Sequence, residues 1–146
     1  MGLLLVFNGG FMLLSAMVGY FYDDVDIALS ISSAGFLTIL IGTVFMYFTR
    51  EHRKELQKRD GYIVVTFGWI FMSLSGCLPY IFSGAIPSLT NAFFETMSGY
   101  TTTGSSILND IEAMPNGVLF WRSTTHWIGG MGIIVLTIAI LPLLGI

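Results

Sequence analysis

The sequence predicts an all-α membrane protein: two N-terminal transmembrane helices, then a unit made of a transmembrane helix, a re-entrant loop and a second transmembrane helix. Three observations predict it. Of the 146 residues, 54% are hydrophobic and only 10% charged, with a mean hydropathy of +0.79, well outside the range of soluble domains. The charges are segregated: all but one of the Lys and Arg residues (Arg50, Arg53, Lys54, Lys58 and Arg59) fall in one short segment between long uncharged runs. Finally, a helix too short to cross a bilayer leads into the hydroxyl-rich run Ser98-Gly99-Tyr100-Thr101-Thr102-Thr103-Gly104-Ser105-Ser106.

Leu3 to Tyr22 carries no charge, and at 1.5 Å per residue it reaches about the 30 Å of a hydrocarbon core. Gly9, Gly10, Ser15, Ala16 and Gly19 recur along it, which predicts one face packed closely on a neighbouring helix. Asp23, Asp24 and Asp26 end the run, and Ile27 to Phe48 returns across, with Ser30, Ser33, Gly35 and Gly42 as its small residues. Residues 1–48 are thus an N-terminal helix pair. Residues 49–60 (TREHRKELQKRD) form a basic loop, and short loops rich in Lys and Arg stay in the cytoplasm. That places the N-terminus inside and the Asp23–Asp26 corner outside. The spacing of Glu55 and Arg59 fits a short surface helix continuing the second span.

Residues 61–146 make the second unit. Tyr62 to Phe82 is the third span, with Pro79 near its outer end, where a lost backbone hydrogen bond is better tolerated than at mid-membrane. The run breaks at Ser83-Gly84-Ala85-Ile86-Pro87. Leu89 to Tyr100 is a helix some 15 Å long, N-capped by Ser88 or Thr90. It cannot cross. Because the next span must start on the same side, the segment enters from outside and turns back, which lipid permits only where the free backbone faces protein or water. Residues 101–106 lie at the bottom of the descent, Leu108 to Gly117 climbs out, and 118–146 is the last span.

A dehydrated monovalent cation needs oxygens in place of its water shell, and backbone carbonyls supply them without fixed charge. Thr and Ser add hydroxyls, and Gly104 can take φ > 0 without a Cβ penalty, so successive carbonyls can point one way. The short helix would turn its partly negative C-terminus toward the ion. These features favour a pore loop over a flexible extracellular connector, with Thr101, Thr102, Thr103, Gly104 and Ser105 as candidate ion-binding residues. No Ser-His-Asp set, HExxH or phosphate-binding glycine loop occurs, so neither an enzyme nor a bound cofactor is expected; K+ is cargo. The basic segment is interleaved with Glu51, Glu55 and Asp60, which argues against nucleic-acid binding. The single cysteine, Cys77, reads as a packing residue.

The run Ala92-Phe93-Phe94-Glu95-Thr96-Met97-Ser98-Gly99-Tyr100-Thr101-Thr102-Thr103-Gly104, followed by Phe120-Trp121-Arg122 and Trp127-Ile128-Gly129-Gly130-Met131-Gly132-Ile133, resembles the first pore unit of the Trk/Ktr/HKT potassium transporters. The likeness is greatest to the bacterial TrkH-type pore subunits and runs through essentially the whole chain. It implies a K+ channel-like fold and K+ uptake across the bacterial inner membrane, with Gly104 as this unit's filter glycine, Thr102 and Thr103 as its neighbours on the ion path, and K+ held at Thr102, Thr103 and Gly104. In the plant branch a serine at the matching position goes with sodium selectivity, so Gly104 favours potassium. The resemblance also implies three further pore units, in the same polypeptide if the chain is a fragment, a homodimer of pore subunits, and a cytoplasmic nucleotide-binding regulatory subunit. Two other readings compete: a short chain that conducts only as a homotetramer, and a nonconducting membrane scaffold or truncated product.

Arg122 falls about six residues into the last span, where an unpaired charge costs about 2.5–3.5 kcal/mol. Glu95, descending from the same side, is its natural partner. A structural ion pair is favoured over Arg122 on the ion path, where it would repel K+, and over simple snorkelling. His126 reads as a hydrogen-bonded core residue. Gly129, Gly130 and Gly132 are a gating hinge or a packing face, with packing preferred. Phe93, Phe94, Tyr100, Trp121 and Trp127 fit an interfacial aromatic collar. If Glu95 and Arg122 pair, reversing both charges should restore part of the assembly lost on reversing either, read as the amount of protein extracted intact from membranes.

Overall fold

The computed structural model describes residues 2–23, 25–49 and 58–140. Helices α1 (Gly2–Tyr22), α2 (Val25–Thr49), α3 (Lys58–Gly76), α4 (Leu78–Phe82), α5 (Leu89–Tyr100) and α6 (Asn116–Ile140) follow in order, with no strand among the described residues. By length and composition α1, α2 and the stretch Val65–Phe82 can each cross a membrane. α6, at 25 residues, has the length to do so. Asp24, the basic residues Arg50, Arg53 and Lys54, the expected surface-helix continuation after Thr49, and residues 141–146 of the last predicted span lie outside the described residues.

α1 and α2 form an antiparallel pair seated on glycines. A Cβ at Gly9 would lie 2.8 Å from the Gly35 carbonyl oxygen, and one at Gly35 3.1 Å from that of Gly9; Gly2 and Gly42 face each other in the same way, at 2.5 and 2.9 Å. The helix backbones therefore touch at two levels seven residues apart, as small residues allow in lipid. Gly10, predicted on the same face, has open space around it. Thr38 donates its hydroxyl back to Ala34 O (2.8 Å), which keeps a buried polar atom satisfied inside the pair.

The third span departs from the continuous helix expected over 62–82. Its helical backbone starts earlier, at Lys58, and it is interrupted at Cys77, after which α4 sets off anew. Pro79 is the cause: it has no N–H to return to Ser75 and its ring crowds that carbonyl. At the same place the carbonyl of Gly76, the last residue of α3, accepts the Trp121 indole N–H (2.9 Å), so that oxygen is not left orphaned. Ser88 sits at the N-cap of α5 in extended conformation but makes no side-chain capping bond, contrary to the capping role predicted for it.

α6 begins where α1 ends. Asp23 Oδ1 accepts the Asn116 N–H (2.9 Å) and Oδ2 the Gly117 N–H (2.6 Å), so a carboxylate from the α1–α2 corner caps a helix more than ninety residues away. Deeper down, the core gathers Met12, Ile31, Ala34, Tyr80, Val118 and Trp121. The α1–α2 pair and the second unit are thus packed as one body.

These contacts fix the depth of α5. Its last residue, Tyr100, lies against Gly129 and bonds Asn8, each about 20 Å along its own helix from the Asp23–Asn116 level at 1.5 Å per residue. Ser106 and Ile107 bond back to Glu95, which pairs with Arg122 only about 9 Å below that level. The chain has turned and is climbing. α5 and the loop after it are a re-entrant element. Because Gly9 and Gly10 are neighbours with opposite surroundings, Gly9→Ala should destabilise the intact protein by about 1–3 kcal/mol through overpacking, whereas Gly10→Ala should not; melting temperatures in detergent check this.

Candidate functional site

The end of α5 gathers the N–H groups of the loop onto itself. Thr101 N donates to Met97 O (2.9 Å), Thr102 N to Gly99 O (2.9 Å), Thr103 N to Ser98 O (3.0 Å) and, more weakly, Gly104 N to Ser98 O (3.5 Å). Helix ends leave carbonyls unsatisfied, and here consecutive N–H groups answer them. This folding requires left-handed backbone at Thr102 (φ +56°) and Gly104 (φ +76°). At Gly104 the demand is conformational and not steric, since a Cβ there would meet nothing within 4 Å. Thr102 accepts the strain with a branched side chain, held by its own N–H bond and by its hydroxyl donating to Thr101 O (2.7 Å).

With the N–H groups so used, the peptide oxygens of Thr102, Thr103 and Gly104 accept no hydrogen bond among the described residues, and all three residues are exposed. The oxygens on either side differ. Thr101 O receives the Thr102 hydroxyl, and Ser105 O receives the Ser98 hydroxyl at 2.6 Å. Ser105, predicted among the ion-binding residues, therefore has its carbonyl engaged with α5, leaving its hydroxyl as its free oxygen. Thr101 and Thr103 share a hydroxyl contact of 2.8 Å, and Thr101 also donates to Met97 O.

A second layer holds the rising limb. The Glu95 side chain has no exposed surface, and four donor contacts converge on its two oxygens: Arg122 Nε (2.7 Å) and Ser106 Oγ (3.0 Å) on Oε1, Ser106 Oγ (3.0 Å) and Ile107 N–H (3.1 Å) on Oε2. Ser106 Oγ in turn accepts the Leu108 N–H at 3.1 Å. The guanidinium is thus drawn toward α5 and not out to the surface. Glu95 joins three elements at once: α5, the rising limb and α6.

α6 meets α5 through glycine on both sides. A Cβ at Gly129 would collide with the Tyr100 carbonyl, coming within 2.7 Å of its carbon, and one at Gly99 would run into the Thr125 hydroxyl. Of the three glycines predicted as hinge or packing face, Gly129 sits at a close approach; Gly132 lies near Trp69, and Gly130 has only the Thr102 methyl at 3.9 Å. His126 Nδ1 bonds Arg122 O (2.9 Å) and is partly buried. Among the described residues no group of His, Cys, Asp and Glu is placed to hold a metal ion.

The aromatic collar needs correction. Tyr100 and Trp121 are fully buried, Tyr100 against Trp69 and Trp121 in the core, while Phe94 and Trp127 are largely exposed. Both buried rings have a polar handle with a partner, which lets them enter the core. The sequence reading also missed Asn8, Asp23, Ser98 and Ser106 as holders of the loop and helix ends. Only Asn8 carried a signal: it is the sole carboxamide in an otherwise apolar span, and polar groups within a membrane segment usually have a function.

The fold and site define an all-helical membrane protein with a short helix that turns back through an oxygen-lined loop. The chain belongs to the TrkH family of cation transport proteins, whose profile matches residues 27–146. It is 40% identical over 147 residues to the Trk system potassium uptake protein TrkH of Salmonella typhimurium, covering 99% of this chain and 30% of that protein. It is also 40% identical over 107 residues to the Trk system potassium uptake protein TrkG of Escherichia coli, covering 73% of this chain and 22% of that one. The crystal structure of the potassium transporter TrkH from Vibrio parahaemolyticus superposes with a TM-score of 0.89 at 38% identity, over 99% of this chain and 31% of that one. The chain spans about a third or less of the length of these relatives.

The Glu95 clamp is not a symmetric pair, because the carboxylate also receives a backbone N–H. Reversing both charges would restore attraction to residue 122 but leave the Ile107 N–H facing a cation. Glu95→Ala should cost about 3–5 kcal/mol, as expected for a broken buried pair, Glu95→Gln clearly less, and the double reversal should recover only part of the loss. Thermal stability of the solubilised protein gives the ranking.

Proposed function

We propose that this chain supplies one quarter of the selectivity filter of a TrkH-like K+ uptake pore, with the peptide oxygens of Thr102, Thr103 and Gly104 replacing water around the ion. One observation carries the reading: three successive carbonyls without a hydrogen-bond partner among the described residues, next to carbonyls on both sides that have one. In lipid such a triplet is tolerated only where it faces an aqueous or ionic path. The names of the relatives support K+ as the ion.

The remaining three quarters come from further units of the same kind, in one polypeptide on the precedent of relatives about three times as long. In a bacterial inner membrane the basic segment 49–60 faces the cytoplasm, as does the N-terminus, and the loop enters from outside. Family resemblance adds a homodimer and a cytoplasmic nucleotide-binding subunit. A pure scaffold fits less well, since the glycine faces of α1 with α2, and of α5 with α6, are used inside the chain. In the intact protein, expressed in cells lacking other K+ uptake, Gly104→Ser should lower the K+/Na+ uptake ratio about tenfold, because left-handed backbone costs a non-glycine residue about 1–2 kcal/mol. An unchanged ratio at unchanged expression would reject the filter assignment.

A further inference from the structure

We propose that Asn8, on α1 and outside the pore unit, is a positioning residue for ion selectivity, acting through the Tyr100 hydroxyl on the backbone of the filter loop. The inference rests on the filter reading above and deepens it. Asn8 is 1% exposed, within a helix otherwise made of apolar and small residues. A carboxamide at that depth is unfavourable unless its groups are bonded. Its Nδ2 donates to Ser75 Oγ (3.1 Å) on α3, and its Oδ1 accepts the Tyr100 hydroxyl (2.5 Å) at the end of α5. An apolar side chain of the same size would fill the space, so the amide adds orientation more than packing.

What it orients is the last residue before the loop. The Tyr100 ring lies beside Trp69, with centroids 6.3 Å apart, and a Cβ at Gly76 would come within 3.0 Å of its Cε2 and hydroxyl. On the other side of the residue, its carbonyl is pressed against Gly129 of α6. Tyr100 is therefore gripped by its side chain from α1 and α3 and by its backbone from α6. Two residues before it, Ser98 O receives the N–H groups of Thr103 and Gly104, and one residue before it, Gly99 O receives that of Thr102. A rotation of this last helical turn carries the three free oxygens with it. Discrimination between cations depends on where those oxygens stand, and the tie that stops the rotation begins on α1.

The test uses the intact protein and compares Asn8→Ala, Tyr100→Phe and the double variant by K+ and Na+ uptake, each normalised to protein amount in the membrane. Each single variant should lower the K+/Na+ ratio by several-fold to about tenfold, the range of one lost buried hydrogen bond, and the double variant no further than the larger single effect. Gly10→Ala, on the same helix in open space, should leave the ratio unchanged. A fall in protein amount with an unchanged ratio would make Asn8 merely structural and overturn the proposal. Should Asn8→Ala fail to fold, Tyr100→Phe decides alone, since it removes only a hydroxyl. Gly104→Ser, run in parallel, separates the two claims: a ratio that responds to Gly104→Ser but not to Tyr100→Phe overturns the role of Asn8 only, and one that responds to neither overturns the filter reading with it.

Discussion

A carboxylate with no exposed surface is tolerated at Glu95 because a donor stands in each direction that water would otherwise occupy: a guanidinium from α6, and a hydroxyl and a peptide N–H from the rising limb. Without that convergence the chain after Gly104 would have no reason to return along α5. With it, the limb is tied back a few residues after the turn, and the backbone between Tyr100 and Ser106 becomes a short bridge anchored at both ends. Within a bridge so held, N–H groups that bond inward leave oxygens without partners. The exposed oxygens follow from where the hydrogen bonds go.

The N-terminal helix pair is tied into this arrangement more firmly than its position in the chain suggests. Asp23 caps α6 at one end, where Gly19 also packs against Gly117, and Asn8 reaches the base of α5 about 20 Å further down. Contacts at these well-separated levels make α1 a strut alongside the second unit. The glycines that let α2 lie against α1 serve the same end, since they bring the pair close enough to act as one wall.

Much of this was legible because lipid narrows the choices. An uncharged run of about twenty residues must be a helix, and a segment too short to cross must turn back, so the bounds of α5 and the existence of the loop could be read from residues 83–106. Glu95 and Arg122 were legible for a related reason: opposite charges descending from one side have few other partners. Other features depended on details no spacing reveals. Whether a carbonyl faces outward at Gly104 or inward at Ser105 is decided by the Ser98 hydroxyl, seven residues away. Tyr and Trp suit an interface or a core equally well, and Tyr100 and Trp121 were placed in the core by Asn8 and by the Gly76 carbonyl at the end of α3. The cap that Asp23 gives α6 joins residues too far apart for any local pattern to suggest.

Whether the oxygens of Thr102, Thr103 and Gly104 hold the ion decides the proposed function. Crystals of the full-length protein grown with Rb+ in place of K+, with diffraction recorded at the rubidium absorption edge, address this directly. An anomalous peak at direct coordination distance from those three carbonyls is the predicted result. Rubidium found elsewhere in the protein, with no peak at that triplet, would contradict it.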